Sequence, residues 1–411
     1  MAERLAFNPL SESYLGDPYP ALHGLRERDP IHRWLFGRWN AARHEESSLG
    51  TWLATRHRDA EFILRDPRFG MRAPGTGRSA VDTSPTGKCI AAWWMFRNPP
   101  QHTAFRRALG NALSIRRARR LRPLIETTAA RLIERVRHRG EMDLVADFST
   151  PLARSVLAEM LGLGTEAGVR MLDTAVGPSR LFGGSALTRE ERENANGSLL
   201  ILNEQIRDAC RWRRSHPGDD LISAVISLFP GRPPAGDDEA VANVVMLIYA
   251  GYGTVRDLMS NCVLTLCTHP DALRKLASSP HLVPRAVEEI LRFETSVHFA
   301  ARTALEPVDV GGVQIKQGET VSLELAAANR DPEIFPRPDV FDIDRDGAGH
   351  VAFGGGRHYC LGAALARVET EVALTALLER LSELHLPEPS NLTWHASVGH
   401  RGPQQLQVCW K

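Results

Sequence analysis

Cys360 is the residue with the most chemistry to offer. It stands in the stretch Val351-Ala-Phe-Gly-Gly-Gly-Arg-His-Tyr-Cys360-Leu-Gly-Ala-Ala-Leu-Ala-Arg367. Gly354, Gly355 and Gly356 predict a loop that ordinary side chains would obstruct, and an apolar run with helical spacing follows to about Leu381. Cys360 therefore falls where a loop meets a helix N-terminus. Free backbone N–H groups and the positive end of the helix dipole converge there, which favours a thiolate. Gly362 lets the backbone lie close to something flat and large. Taken alone, Cys360 also fits a buried free cysteine. A phosphate-cradling loop fits poorly, since no Lys-Ser or Lys-Thr follows the glycines.

Three other stretches carry residues with chemical potential. Pro99-Pro100-Gln-His102-Thr-Ala-Phe-Arg106-Arg107 opens a helix on which His102 and Arg106 share one face. As a pair they suit either solvent or carboxylates. Asp238 to about His269 reads as one long helix with an unusual centre, Ala250-Gly251-Tyr252-Gly253-Thr254. Each glycine there costs about 1 kcal/mol relative to alanine, so a local distortion or a close neighbour is expected. Met246, Ala250 and Thr254 face one way, with Tyr249 beside them. Glu289 and Arg292 stand three apart on a further helix, ordinarily a pair worth about 0.3 kcal/mol.

Together these stretches resemble the cytochrome P450 family. Phe353-Gly354-x-Gly356-x-His358-x-Cys360-x-Gly362 is similar to its haem-binding loop. The resemblance implies that Cys360 is the axial thiolate of haem iron, with Phe353, Gly354, His358 and Gly362 around it. The Pro-Pro-x-His-Thr-x-x-Arg-Arg string implies that His102 and Arg106 bind haem propionates. Arg302, ten residues after Arg292, matches a further propionate ligand. Glu289 and Arg292 resemble the family's Glu-x-x-Arg core. Its third partner is often an arginine from the Pro-Asp-x-Phe segment, where this chain has Val340; Arg337 and Arg345 are the candidates to replace it.

The Ala250–Thr254 segment resembles the family's oxygen-binding helix. Ala250 then faces the haem, and Thr254 is the threonine that supports dioxygen and relays protons. Gly253 stands where that helix usually carries Asp or Glu. Either water or substrate replaces the acid, or the outcome differs from hydroxylation. Asp257, one turn on, is not assumed to substitute. The implied substrate pocket takes Trp94, Met246, Tyr249, Val297, His298 and Phe299; His298 equally suits a packed histidine.

Composition excludes other classes. The 411 residues carry a net charge of +1, which gives no bulk attraction to nucleic acid. The six cysteines show no paired spacing, which fits a reducing cytoplasmic setting. Cys262, Cys267 and His269 do not converge on a helix, so a zinc site is not expected. No signal peptide and no run of about 20 apolar residues is visible.

The remaining elements position these groups. Asp17-Pro-Tyr-Pro20 starts a helix to about Arg28, and residues 31–36 and 51–55 read as paired strands across a polar connection, 37–50. A helix over 57–65 precedes a surface loop at 73–86 that leads into Trp93-Trp94. Helices are expected at 123–139, 144–163, 189–214 and 220–228, with 177–185 as a pocket roof. Arg116, Arg117, Arg119, Arg120 and Arg122 read equally well as solvated charge or as a docking face for an acidic electron donor. Residues 308–315 and 320–325 read as strands around Lys316–Glu319, and 392–408 as strand and turn whose tip, 396–399, reaches the pocket.

The expected fold is mainly α with a small β region, one domain over 1–411, with haem between the long central helix and the Cys loop. The implied cofactor is heme b (iron protoporphyrin IX). The implied reaction is oxidation of a small organic molecule by O2, with two electrons from a ferredoxin-type donor and its reductase. A soluble monomer with neither nucleic-acid nor membrane partners is expected. Oxidative coupling, desaturation or cyclisation is the alternative outcome, and a non-catalytic haem protein the alternative class.

Overall fold

The computed structural model describes residues 7–34, 51–71, 84–185, 187–230, 237–345, 349–387 and 392–411. The connection expected at 37–50, most of the loop at 73–86 and the end of the strand at 31–36 lie outside them.

The helix Asp237–Cys267 runs through the interior and organises the rest. It buries apolar residues on nearly every face, as an interior helix must. The helices Ile115–Val136, Thr150–Met160, Arg189–Ser215 and Ala363–Arg380 share its largest apolar core. A second core lies under the sheet, and a third joins the helix Val283–Phe293 to the segment before Cys360.

Five strands form one sheet in the spatial order Ile31–Trp34, Thr51–Ala54, Thr320–Glu324, Phe299–Ala304, Phe69–Gly70. Only the pair Thr51–Ala54 with Thr320–Glu324 is parallel. Ala300 opposite Leu323 and Arg302 opposite Val321 set the register that carries Arg302 inward. The sheet therefore delivers one buried cation toward the interior.

Two expectations change. Residues 308–315 are not one strand beside 320–325. Val308–Val310 folds back on Val313–Ile315, because Gly311 and Gly312 both adopt positive φ (59° and 85°) and close a two-residue turn. The helix expected from Pro123 begins earlier, at Ile115, where the Ser114 hydroxyl caps the Arg117 N–H. Pro123 sits inside it, so Arg116 to Arg122 occupy its first turns. The Arg189 helix has a full capping box, Thr188 with Glu191.

Candidate active site

The Cys360 loop is shaped by a close approach to the helix His57–Arg65. Gly354 and Gly356 adopt φ of 66° and 63°, and a Cβ at Gly356 would run into the Leu64 carbonyl. Sequence marked these glycines, but the neighbour that requires them lies far back in the chain. Gly354 N–H donates to the Val351 carbonyl (2.8 Å), Tyr359 N–H to Gly356 (3.1 Å) and Cys360 N–H to Phe353 (2.9 Å). The helix Ala363–Arg380 starts directly beyond.

Cys360 is reachable by solvent, yet burial is the main influence on its thiol and pushes the pKa up. A side chain both reachable and enclosed lies on the wall of an internal cleft. The Gly362 and Ala363 amides and the guanidinium groups of Arg106 and Arg367 pull the pKa back down. These are the influences that hold a thiolate.

The loop is anchored from behind. Arg292 makes a bidentate pair with Glu289, at 2.8 Å for each bond, and both side chains are fully buried. Arg345 is the third partner, its Nε 3.2 Å from Glu289 Oε1, while its other nitrogens donate to the carbonyls of Pro336, Arg337 and Val340. Arg337 supplies only a carbonyl. Arg292 also donates to the Asn329 carbonyl, and the Asn329 amide oxygen accepts from Val351 N–H (2.7 Å). One buried network therefore fixes the entrance to the Cys loop.

Opposite the loop, the long helix shows a stripe that is open although its surroundings are buried. Ala250 is exposed, and Leu247, Gly251 and Thr254 are half-buried. Their i, i+3, i+4, i+7 spacing makes a flat strip. Gly251 is tight against Leu157, 3.2 Å from a Cβ. The expected close neighbour is therefore present, and the helix is not interrupted. Thr254 Oγ1 donates to the Ala250 carbonyl (2.8 Å).

A basic cluster lies beside the loop. The rings of His102 and His358 are 3.8 Å apart, and Arg106 donates to the Tyr359 carbonyl (2.7 Å). Arg302 is buried and, among the described residues, donates only to the Ala301 carbonyl and Met71 Sδ (3.5 Å). His358 Nε2 is buried without a partner among the described residues. Burial, with Arg106, Arg357 and Arg302, lowers the His102 pKa to about 4. Burial, with His102 and the same arginines, lowers His358 to about 3. Burial and Arg357 lower Arg302 to about 10. Among the described residues, no carboxylate is among the charges acting on these three groups. Uncompensated cations beside an apolar strip and a cysteine fit a flat ligand that carries carboxylates at one edge.

The expected pocket residues are distributed differently. Tyr249 is the centre of an aromatic ladder. Phe96, Trp93, Tyr249 and His400 stack in succession at centroid distances of 5.7, 5.6 and 5.5 Å, and Phe182 meets Trp93 and Tyr249 edge-on. Trp94 turns the other way, packing on Phe229 and donating to Glu239. Met246 is buried in the main core. Phe299 stacks on Trp34, Val297 packs on the sheet core, and His298 is buried 3.8 Å from Glu324. His400 carried no motif, and the expected 396–399 tip stops one residue short of it. Ser397 of that tip donates to the Gly183 carbonyl (2.7 Å) and joins it to the 177–185 segment.

A biotin biosynthesis cytochrome P450 of Bacillus subtilis (strain 168) is 33% identical over 411 residues, covering 99% of this chain and 100% of the relative. The chain belongs to the cytochrome P450 family. The cytochrome P450 family model matches residues 278–408 of this P450. The cytochrome P450 monooxygenase PikC of Streptomyces venezuelae is 32% identical over 415 residues, 99% of this chain and 94% of PikC. The structure of P450BioI in complex with a hexadec-9Z-enoic acid ligated acyl carrier protein superposes with a TM-score of 0.85 at 31% identity, covering 97% and 100%. The protein is a haem-thiolate monooxygenase that takes a substrate, O2 and electrons from a redox partner. Its fold is the P450 fold. Among the described residues, no helix is long and apolar enough to cross a membrane.

Proposed function

We propose that Cys360 ligates heme b, and that this single P450 domain oxidises a small, largely apolar, ring-containing molecule in secondary metabolism. The uncompensated cluster of His102, Arg106, Arg302 and His358 carries the reading, because two propionates supply the anions it lacks. Ala250 and Gly251 let the long helix lie flat on the ring, with Phe353, Gly354 and Gly362 on the thiolate side. When bound, the haem supplies dioxygen activation and the oxidising power.

The chain's own residues do the rest. The amides after Cys360 oppose the effect of burial and favour the thiolate that a metal would complete. The Thr254 hydroxyl donates to the Ala250 carbonyl, which leaves its oxygen free on the open strip to accept one proton and pass on the other. Tyr249, Trp93, Phe182 and His400 orient the substrate and exclude water from that strip. Arg107, Arg116, Arg119, Arg120 and Arg357 are exposed on the side of the Cys loop and the Arg106 helix. This supports docking of an acidic ferredoxin-type donor to a cytoplasmic monomer. Gly253 favours a second reading, in which two electrons leave the substrate without oxygen insertion.

Turnover under isotopically labelled dioxygen tests the two readings, with surrogate ferredoxin and reductase and a compound selected by its haem spin-state shift. Label in the product supports monooxygenation. A coupled or dehydrogenated product without label overturns it in favour of the second reading.

A further inference from the structure

The position that usually carries the helix acid is a closed gap in this chain. Gly253 is buried, yet a Cβ there would meet nothing within 4 Å. The next residue on that face is Asp257. Helical side chains lean toward the N-terminal turn, so its carboxylate is directed back over residue 253. Asp257 is 1% exposed. Its Oδ1 accepts from Arg256 Nε (2.8 Å), while Oδ2 has no partner among the described residues. Such an acceptor beside a closed gap is suited to a water, which needs a small polar space with several partners.

The other wall of the gap is polar too. Gly402 packs directly on Asp257, and a Cβ at 402 would collide with the carboxylate. His400 precedes it, stacked on Tyr249, with Nε2 3.3 Å from the Tyr249 hydroxyl. Burial lowers the His400 pKa, Asp257 raises it and Arg256 lowers it, so the imidazole lies within the field of the pair. His395 accepts from Arg256 (3.1 Å) and lies within the field of Arg180, on the helix Val176–Phe182. His298, which burial keeps neutral, lies within the field of His400 from the strand side.

We infer that Asp257 is a positioning residue of the reaction: backed by His400, its carboxylate holds a proton-carrying water in the gap at Gly253 and so resupplies the Thr254 hydroxyl. The inference rests on the haem-thiolate reading above. Each hydroxylation consumes one O2, two electrons and two protons, inserts one oxygen and releases one water. Thr254 gives up a proton and regains one from the water, which regains one from solvent through the Asp257–His400 side. Asp257 is unchanged over the cycle.

The test uses the haem-loaded full chain with a surrogate ferredoxin and reductase and 7-ethoxycoumarin as probe substrate. It reads the share of electrons that leaves as hydrogen peroxide. Asp257→Asn raises the peroxide-to-product ratio about tenfold. Gly402→Ala displaces the carboxylate while leaving Arg256 its counter-charge, and moves the ratio the same way. Gly253→Asp in the Asp257→Asn background brings the ratio back, which a merely structural role for Asp257 would not allow. Independently of turnover, the His400 imidazole titrates at lower pH in Asp257→Asn, read by NMR of the reduced, carbon monoxide-bound protein. An unchanged ratio, absent rescue or an unmoved His400 titration overturns the relay alone, provided the thiolate-type carbon monoxide spectrum is present. Absence of that spectrum in the parent overturns the reading beneath it and the relay with it.

Discussion

Arg345 closes on Glu289 at 3.2 Å, and so completes from a loop 56 residues away a pair that Glu289 and Arg292 begin on one helix. Glu289 and Arg292 are fully buried, and Arg345 reaches them from the surface while its remaining donors bind three backbone carbonyls. Arg345→Ala leaves a buried Glu289 lone pair unsatisfied and releases those carbonyls to solvent. It is expected to cost about 2–3 kcal/mol of stability, seen as a lower denaturant midpoint. Glu289→Ala strands two cations and is expected to cost more, about 3–5 kcal/mol.

Gly356→Ala tests the close approach of the Cys loop to Leu64. The substitution adds a Cβ against a carbonyl at a left-handed position, with about 1–2 kcal/mol of backbone strain before any displacement. The helical circular-dichroism signal is expected to persist while haem retention falls. Unchanged haem content in the Gly356→Ala variant would mean that the loop has room the geometry denies.

Arg302→Leu and His102→Ala remove members of a cluster that has no internal anion among the described residues. Each is expected to weaken haem binding by about ten- to a hundredfold, the value of one charge-assisted hydrogen bond. In Arg302→Leu, apo-protein stability should stay level or rise, because Arg302 is a buried cation in the field of Arg357. Haem titration and thermal unfolding of the haem-free protein separate the two effects.

The same cluster gives a signed pH dependence. His102 and His358 titrate at about 4 and about 3 in the haem-free fold, below the ordinary value near 6.5. A depressed histidine favours the fold while neutral. The contribution is therefore present above about pH 6.5 and is lost as pH falls toward 4 and 3. For His102 alone the loss is on the order of 3 kcal/mol. Propionates nearby offset the cations, so the haem-loaded protein should lose less over that window. Equal acid sensitivity of the two forms would count against propionates at this site.

Much of this was legible because the residues concerned act locally. Cys360, its glycines and the helix after it form one continuous stretch, and His102 with Arg106 form one turn. The long helix was legible from its apolar run, to within two residues at its C-terminal end. What stayed hidden depends on distant partners. Arg345 and Arg337 are indistinguishable until the loop folds back on Glu289. His400 gains meaning only when the C-terminal hairpin meets Tyr249. The Gly311-Gly312 turn was readable in principle, but the alternation of 308–315 masked it. At Trp93-Trp94, neighbouring side chains point to opposite sides, and only packing decides which faces Tyr249.

The central claim is that Cys360 gives the haem iron a thiolate, and the reduced, carbon monoxide-bound absorption spectrum tests it most directly. The account predicts the long-wavelength Soret band of thiolate ligation in the parent protein, and its loss in Cys360→Ala with the helical content kept. A histidine-type spectrum in the parent, or a thiolate band that survives Cys360→Ala, would contradict it.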